Sequence, residues 1–500
     1  MTKPMNNPLR SLLKQSEPAL QAGRDYALSG ADALVNAITA DSRQVQAGTL
    51  FAALPGSKHD GRHFIAEAIT KGASAVLSDL DAPIPAGITA VRSANPRLVL
   101  AHLASAFYGA QPTHCAAVTG TNGKTSTAQF VREIAAALGQ TAASIGTLGV
   151  IGPGLDHYGT LTTPDAITLH SLLAKLADAH VTHLCLEASS HGLEQERLAA
   201  VVVQAAGFTN LTRDHLDFHG TMEAYFAAKA RLFDSILQPS GMAVLNADAP
   251  QATELAARAK SRGCRVLTYG LAGEDYKLLD VTPHSHGQTL TVRLFGEKLE
   301  VDLCIAGRFQ AWNALCAAGL AHGLGLDAKA ALQTLPKLTG VHGRLQLAGT
   351  HRNSATVYVD YAHTPDALET VLQALRPHVT GTGRLIAVFG CGGNRDTGKR
   401  PVMGGIAQRQ ADIAIVTDDN PRREDPAAIR AAILSGCQPT PVVQEIGDRD
   451  AAIRHAISLL QSGDILVIAG KGHEPGQIVG DTVLPFDDGA VARHYLTQGT

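Results

Sequence analysis

TGTNGKTSTAQF, residues 119–130, reads as a phosphate-binding loop with one glycine missing. The common form is G-x-x-x-x-G-K-[ST], and Gly123, Lys124 and Thr125 supply its second half. Val118 stands where the first glycine would be. The flanks carry the rest of the signal. CAAVT, just before, is a buried-strand run, and KTSTAQFVREIAAALG, just after, has helical spacing with Gly139 as its stop. Strand, glycine turn and helix therefore come in the order a phosphate cradle needs. Gly120 and Gly123 permit positive φ and a close backbone approach, so that N–H groups and a helix N-terminus can face an anion. Lys124 can reach outer phosphates, and the Thr125 hydroxyl can meet Mg²⁺. A lone G-x-x-G would indicate only a turn before an ordinary helix; G-K-T with both flanks predicts a nucleotide site.

Outward from the loop, the β–loop–α pattern continues. AITLHSLLAKLADA has helical spacing and precedes the strand runs THLCLEAS and VVVQAAGFTN. A β-meander, LTVRLFGEKLEVDLCIAG, leads to a helix from Phe309. After TGVHGR a second series opens: ATVYVDYA, LIAVFG, DIAIVTDD, PVVQEIG and DILVIAG alternate with helical segments, the pattern of a parallel doubly wound sheet. Upstream of the loop, shorter apolar runs alternate with turns. An α/β chain of three domains is expected, at 1–112, 113–340 and 341–500, in keeping with 500 residues at the usual domain size.

Composition narrows the function classes. The chain is 45% hydrophobic and 17% charged, as globular proteins are, and its net charge of −3 gives no electrostatic case for nucleic acid or a membrane surface. No apolar run reaches the ~18 residues of a membrane span, and the opening MTKPMNNPLRSLLKQSEP lacks the apolar centre of a signal peptide. The seven cysteines are scattered without C-x-x-C spacing, and several lie inside strand runs. Reduced thiols of a cytoplasmic protein are expected.

A nucleotide loop needs metal-binding partners. Glu187 ends the strand run LCLEAS, at the edge of a parallel sheet where ligands collect. His215 follows the next strand, in NLTRDHLDFHG. Mg²⁺ prefers oxygen, so a single histidine taken alone reads more readily as a surface or capping residue.

Taken together, GTNGKTS, EASSHGL, NLTRDHLDFHGTMEAYFAAKARLF, GRFQAWN, GVHGR, DYAHTPDAL, FGCGGNRD, DNPR and GKGHE resemble the Mur ligases in order and spacing, from about Asp41 onward. The shortened loop is that family's form. The resemblance implies a UDP-substrate-binding N-terminal domain, a central P-loop-type ATPase domain and a C-terminal Rossmann-like domain for an amino acid. It also implies amide-bond formation with ATP and Mg²⁺. The D-glutamyl γ-carboxylate of UDP-N-acetylmuramoyl-L-alanyl-D-glutamate attacks the ATP γ-phosphate, and the incoming amine displaces phosphate from the acyl phosphate. The C-terminal motifs look like the branch that adds meso-diaminopimelate. The expected partners are these small molecules, with no nucleic acid, no membrane insertion and a monomeric chain.

By the same resemblance, Gly120, Thr121, Asn122, Gly123, Lys124, Thr125 and Ser126 form the phosphate loop, and Thr125, Glu187 and His215 match metal positions. Lys229, in YFAAKARLF, matches a lysine that is carbamylated in these ligases. An ammonium group would be a poor Mg²⁺ partner, whereas a carbamate is an anion. Asn313 and Arg344 match residues near the nucleotide, Arg344 being able to stabilise charge on the transferring phosphoryl group, and Asp360 matches a nucleoside contact. Thr162, Thr163, Ser189, Gln195 and Arg197 match the muramyl-peptide contacts; hydroxyls, an amide and a guanidinium suit a sugar-peptide with carboxylates. Ser42 and the loop Ser57, Lys58 and His59 match UDP contacts.

In the last domain, Arg395, Asp419, Asn420, Pro421, Arg422, Gly470 and Glu474 match the diaminopimelate pocket. Diaminopimelate differs from lysine by a second carboxylate, which calls for a fixed guanidinium such as Arg422, while Glu474 suits an ammonium. The family pattern carries Asp where this chain has Asn394. Gly390, Gly392 and Gly393 follow a strand, but no sixth-position glycine completes a dinucleotide fingerprint, and NAD is rejected. The alternatives are a lysine-adding ligase of the same family, a folylpolyglutamate synthase-like ligase, and a P-loop ATPase that does not ligate.

Overall fold

A computed structural model describes residues 7–17, 19–56, 60–157, 161–440 and 442–498. Backbone contacts divide the chain into two compact units, Met1–Thr268 with Gly319–Asp327, and Tyr269–Ala318 with Ala328–Thr500.

The first unit begins with a five-stranded sheet in the order Ala27–Ser29, Thr89–Arg92, Ala73–Ser78, Thr49–Ala52, Ala37–Thr39. Only the pairing of Ala27–Ser29 with Thr89–Arg92 is antiparallel. Leu9, Leu12 and Leu13, at helical spacing on Leu9–Gln15, pack with Val99, Leu100, Leu103 and Phe107 of the helix Pro96–Tyr108.

The strands that place the phosphate loop follow. Ala142–Gly146, His183–Glu187, His114–Thr119, Val203–Phe208 and Leu237–Asn246 run in that order, all parallel. Cys115–Thr119 is wholly buried and reads as an unbroken apolar run because helices cover both faces of such a sheet. Its register sets Val118 against Glu187 and Thr119 against Phe208. The loop, Glu187 and Thr209 therefore emerge side by side at the carboxyl edge, where a helix N-terminus faces outward.

The second unit opens with the expected meander, Tyr276–His284, Gly287–Leu294 and Glu297–Leu303. It continues into a six-stranded sheet in the order Gln346–Thr350, Thr356–Asp360, Ile465–Ala469, Leu385–Phe389, Ile413–Val416, Val443–Glu445. Four of its five pairings are parallel. Gln346–Thr350, which has no apolar run to announce it, pairs antiparallel with Thr356–Asp360 through an irregular register. The sheet is covered on one face by Leu368, Leu372, Met403 and Ile433, and on the other by Ile453, Ile457 and Ala492. This two-faced burial is why its strands are continuously hydrophobic. Among the described residues no helix is long and apolar enough to cross a membrane.

Candidate functional site

In the first unit, the loop is shaped by glycine where only glycine fits. Gly120 has φ +148°, and a Cβ there would stand 2.0 Å from Thr209 Oγ1. Gly123, at φ 88°, caps the helix Lys124–Ala137. The loop is clamped from the neighbouring strand: the Thr209 hydroxyl donates to Asn122 O (2.6 Å), Asn122 N–H to Asn210 Oδ1 (2.9 Å) and Thr121 N–H to Asn210 O (2.9 Å). The Lys124 ammonium folds back over the loop and donates to Gly120 O and Thr121 O, both at 2.9 Å. The loop is thus held in the shape of a phosphate cradle, with its lysine on the loop carbonyls.

Thr125 and Glu187 are brought together. The Thr125 hydroxyl donates to Glu187 Oε2 at 3.0 Å, while Thr147 supplies its N–H to Oε1 (2.8 Å) and its hydroxyl to Oε2 (3.2 Å). Gly146 makes room for this: a Cβ there would stand 2.0 Å from Glu187 Oε1. Burial pushes the Glu187 carboxyl above the ordinary carboxylate range, opposed by the Thr147 N–H and the charge of Lys124. A threonine hydroxyl beside a buried carboxylate is an all-oxygen donor set of the kind Mg²⁺ takes.

From Glu187 a hydrogen-bonded chain runs through the residues expected to meet the muramyl peptide. Thr147 Oγ1 lies 3.1 Å from Thr162 Oγ1, and the Thr163 hydroxyl donates to Glu187 O at 2.7 Å and lies 3.0 Å from Ser189 Oγ. Arg197 donates to Thr163 O (2.5 Å) and to Gln195 Oε1 (2.7 Å). All five expected residues thus belong to one connected set that reaches the phosphate loop through Glu187. Sequence reasoning missed Thr147, Thr209 and Tyr225, whose hydroxyl lies 3.2 Å from Thr121 Oγ1, although Thr147 and Thr209 each follow a strand's carboxyl end, as Glu187 ends one.

Lys229 is fully buried on the helix Met222–Arg231. Its amine donates to Gly120 O at 2.8 Å and sits 4.3 Å over the Tyr225 ring. Burial, and then the charge of Lys124, push its pKa down to about 6. His215 is half-exposed at φ 51°, with its ring edge-on to His191 at 5.0 Å and to Tyr225 at 6.1 Å, and Nε2 at 3.4 Å from Asp214. Among the described residues no three His, Cys, Asp or Glu side chains cluster as a metal cage. Ser42 is buried in the short turn Ser42–Gln44, its carbonyl accepting from Lys71 (3.1 Å). Ser57, Lys58 and His59 lie outside the described residues.

In the second unit, Asn313 is buried in the helix Phe309–Gly323 and donates to Gln310 Oε1 (2.9 Å). Arg344 is exposed, in the turn after Gly343. Asp360 accepts from the backbone N–H groups of Leu345 and Ala362, both at 2.7 Å, and burial raises its pKa to about 6. Its side chain therefore serves first as a clasp on the Gly343–Leu345 turn.

The expected amino-acid residues converge at the carboxyl edge of the six-stranded sheet. Asn420 donates to Glu474 Oε2 (2.8 Å) and accepts from Ile478 N–H (2.8 Å). Arg422 adopts φ 53° and donates to Gly393 O at 3.0 Å. A Cβ on Gly392 would stand 2.7 Å from Arg422 Nη1 and 3.8 Å from Arg395 Cγ, so both arginines flank that glycine. Gly393 packs on Pro421 O, 1.9 Å from its absent Cβ, and Gly390 on Thr417 O at 2.3 Å; loop packing accounts for these glycines. Asn394, at φ 52°, accepts from Arg423 N–H (3.2 Å) and donates its own N–H to Glu424, which pairs with Arg400. An asparagine tolerates this left-handed conformation, and its Oδ1 clips the arginine loop without a charge.

A parallel sheet whose central strand feeds a glycine cradle, with a buried carboxylate beside the threonine of that cradle, defines a P-loop-type nucleotide-binding α/β protein. Family models described as Mur ligase family, catalytic domain; Mur ligase middle domain; and Mur ligase, glutamate ligase domain match residues 34–108, 118–321 and 343–472. The chain belongs to the Mur ligase family. A UDP-N-acetylmuramoyl-L-alanyl-D-glutamate–2,6-diaminopimelate ligase of Caulobacter vibrioides is 54% identical over 463 residues, 91% of this chain and 94% of the relative. One from Agrobacterium fabrum is 51% identical over 466 residues, 93% of this chain and 94% of the relative. A solved structure of a ligase of that name is similar with a TM-score of 0.78 at 34% identity, covering 99% of each chain.

Proposed function

We propose that this chain is an ATP-dependent, ADP-forming ligase that joins meso-diaminopimelate to UDP-N-acetylmuramoyl-L-alanyl-D-glutamate in peptidoglycan precursor synthesis. The observation that carries the ligase reading is the unbroken chain from Thr125 through Glu187 and Thr163 to Arg197. It sets the groups suited to a peptide carboxylate beside those suited to a phosphate. The amino-acid choice rests on the relatives' shared name together with Arg422, Arg395 and Glu474 at one strand edge.

The chemistry balances in two steps. A γ-carboxylate oxygen of the D-glutamyl residue forms a bond to the γ-phosphorus as the bond to the ADP oxygen breaks. The amine nitrogen of the diamino acid then bonds to the acyl carbon, phosphate departs, and the amine proton passes to solvent. A carboxylate is a poor acyl donor, and the phosphoryl group makes it a good one. Lys124 leaves its loop carbonyls for the outer phosphates, and the loop N–H groups hold them. Thr125 and Glu187, with His215 and a carbamate on Lys229, would hold Mg²⁺, which when bound offsets repulsion between carboxylate and phosphate. For the carbamate, the neutral Lys229 amine attacks CO₂, a C–N bond forms, and one proton is released. Seven free thiols accord with a reducing, cytoplasmic setting. The division at 112 and 340 belongs to the same reading, as UDP-substrate, ATP and amino-acid domains.

The test is phosphate release together with product mass. Release should need the UDP-muramyl dipeptide and diaminopimelate together, and the product should be their amide. Release that proceeds equally well without the dipeptide would turn the reading to a non-ligating ATPase.

A further inference from the structure

Beneath the amino-acid pocket lies a buried ion pair that the proposed reaction does not use. Arg449 opens the helix Arg449–Ser458, and Asp488 opens the helix Asp488–Gln498. Both side chains are 0% exposed. Arg449 Nε reaches Asp488 Oδ1 and Nη2 reaches Oδ2, each at 2.7 Å, a bidentate fork. A helix N-terminus is the unfavourable end for a cation, and full burial of a charge pair is costly. Apolar residues of similar volume often replace such a pair without loss of stability. Stability alone therefore does not account for an arginine here.

What an apolar pair could not supply is the rest of the guanidinium. Nη2 also donates to Ala469 O at 3.0 Å, and Nη1 to Asp418 O at 3.3 Å. Ala469 ends the strand Ile465–Ala469, and Asp418 lies two residues beyond the strand Ile413–Val416; the next residues on each are pocket residues, Gly470 on one and Asp419 and Asn420 on the other. The two strand ends approach closely. A Cβ on Gly470, at φ +120°, would stand 2.4 Å from Asp419 Oδ2 and 3.9 Å from Arg449 Nη2. Asp419 Oδ2 is itself buried without a hydrogen-bond partner. The neighbouring Asp418 turns away and pairs with Arg430. Of the two tandem acids, only Asp419 presents an unpaired oxygen at the Gly470 edge.

We propose that Arg449, held by Asp488, is a positioning residue for the amino-acid pocket: it ties the Asp418–Asn420 strand end to the Ala469–Gly470 strand end. It thereby sets the width of the slot in which Asp419, Asn420 and Glu474 meet the diamino acid. Burial opposes the arginine's charge; Asp488 first, and then the charges of Asp419 and Glu474, favour it. The inference rests on the amino-acid pocket proposed above.

The full-length enzyme carrying Arg449→Met with Asp488→Leu tests it. This double variant keeps the volume and removes both charges and both carbonyl ties. The variant should stay folded, with a single cooperative melting transition at a somewhat lower temperature because two carbonyls lose their donor. KM for diaminopimelate should rise about tenfold as the slot loses its fixed width, while KM for ATP and for the UDP-muramyl dipeptide stays within about twofold. An unchanged KM for diaminopimelate in the folded double variant overturns the proposal, as does an equal rise for all three substrates. Should the double variant fail to fold, Asp488→Asn, which keeps one acceptor and the shape, is measured in the same way. Its diaminopimelate KM should rise selectively; an unchanged value overturns the proposal. If the wild type uses lysine rather than diaminopimelate, the substrate reading fails, and the same KM split read with lysine still decides the role of Arg449.

Discussion

Replacing Lys229 by alanine, and separately depriving the wild type of CO₂, tests the carbamate directly. Carbamate formation needs the free amine, because an ammonium has no lone pair to attack CO₂. With its pKa near 6, the Lys229 amine at pH 7.5 is about 97% neutral, against about 0.1% for an ordinary lysine. That is a roughly 10³-fold gain in nucleophile, worth about 4 kcal/mol at 1.36 kcal/mol per pKa unit. The sign follows. The burial that lowers the pKa keeps the amine reactive at neutral pH, and carbamylation should fall away as pH drops through about 6. In ¹³CO₂-equilibrated buffer the wild type should show one carbamate carbon resonance that Lys229→Ala lacks. Activity should decline in CO₂-depleted buffer and return on adding bicarbonate. The alanine variant should lose most ligase activity, still bind ATP, and regain part of its activity with a short carboxylate such as acetate. Full activity in Lys229→Ala, or a wild type with no carbamate resonance at pH 7.5, refutes the reasoning.

Glu187→Gln and His215→Ala should each raise the Mg²⁺ concentration giving half-maximal turnover. Their melting temperatures should hardly move, since the first keeps its neighbours and the second is half-exposed; an unchanged Mg²⁺ dependence in both would remove them from the metal site. Arg422→Ala should weaken diaminopimelate use by about 2–5 kcal/mol, read as kcat/KM, and narrow its advantage over lysine, and a variant that keeps the full preference contradicts the assignment. Asn394→Ala loses the acceptor for Arg423 N–H and a residue suited to φ 52°, a cost of about 1 kcal/mol. The expected readout is a higher KM for diaminopimelate with ATP unaffected, and an equal effect on both would refute the clip.

The parts legible in the sequence are those whose cause is local. The strand runs read as strands because a sheet covered on both faces leaves no polar alternation to confuse them. The phosphate loop reads as a loop because glycine, lysine and threonine act there through backbone shape and short reach. DNPR and GKGHE were visible as motifs, but their meeting depends on strand order: the strand Ile465–Ala469 lies two positions from Ile413–Val416, with Leu385–Phe389 between them. Gln346–Thr350 escaped because an edge strand with an irregular register needs no continuous apolar run. The doubly wound sheet was thus expected as parallel throughout, and its one antiparallel edge was not.

The residues that escaped share a physical reason. Thr147, Thr209 and Tyr225 support the site through contacts between elements distant in sequence or through a ring under an amine, and no spacing rule marks such contacts. Arg449 escaped more completely, because in sequence DRDAAIRHAI shows only a capped helix, with Asp448 as the cap. Its meaning depends on Asp488, 39 residues away, and on two carbonyls that carry no side-chain signature at all. Arg422 marks the opposite case. Its motif is plain, but the sequence conceals its left-handed backbone, a conformation that costs about 1–2 kcal/mol outside glycine. That strain is held by the hairpin Gly476–Val479 and Thr482–Pro485: Arg422 N–H donates to Ile478 O (2.9 Å), and Arg422 O accepts from Gly480 N–H (2.7 Å). The hairpin, though mostly exposed, therefore fixes the backbone that carries the Arg422 guanidinium, and under the proposed function the conformation of Arg422 would serve the amino-acid pocket at the expense of local stability.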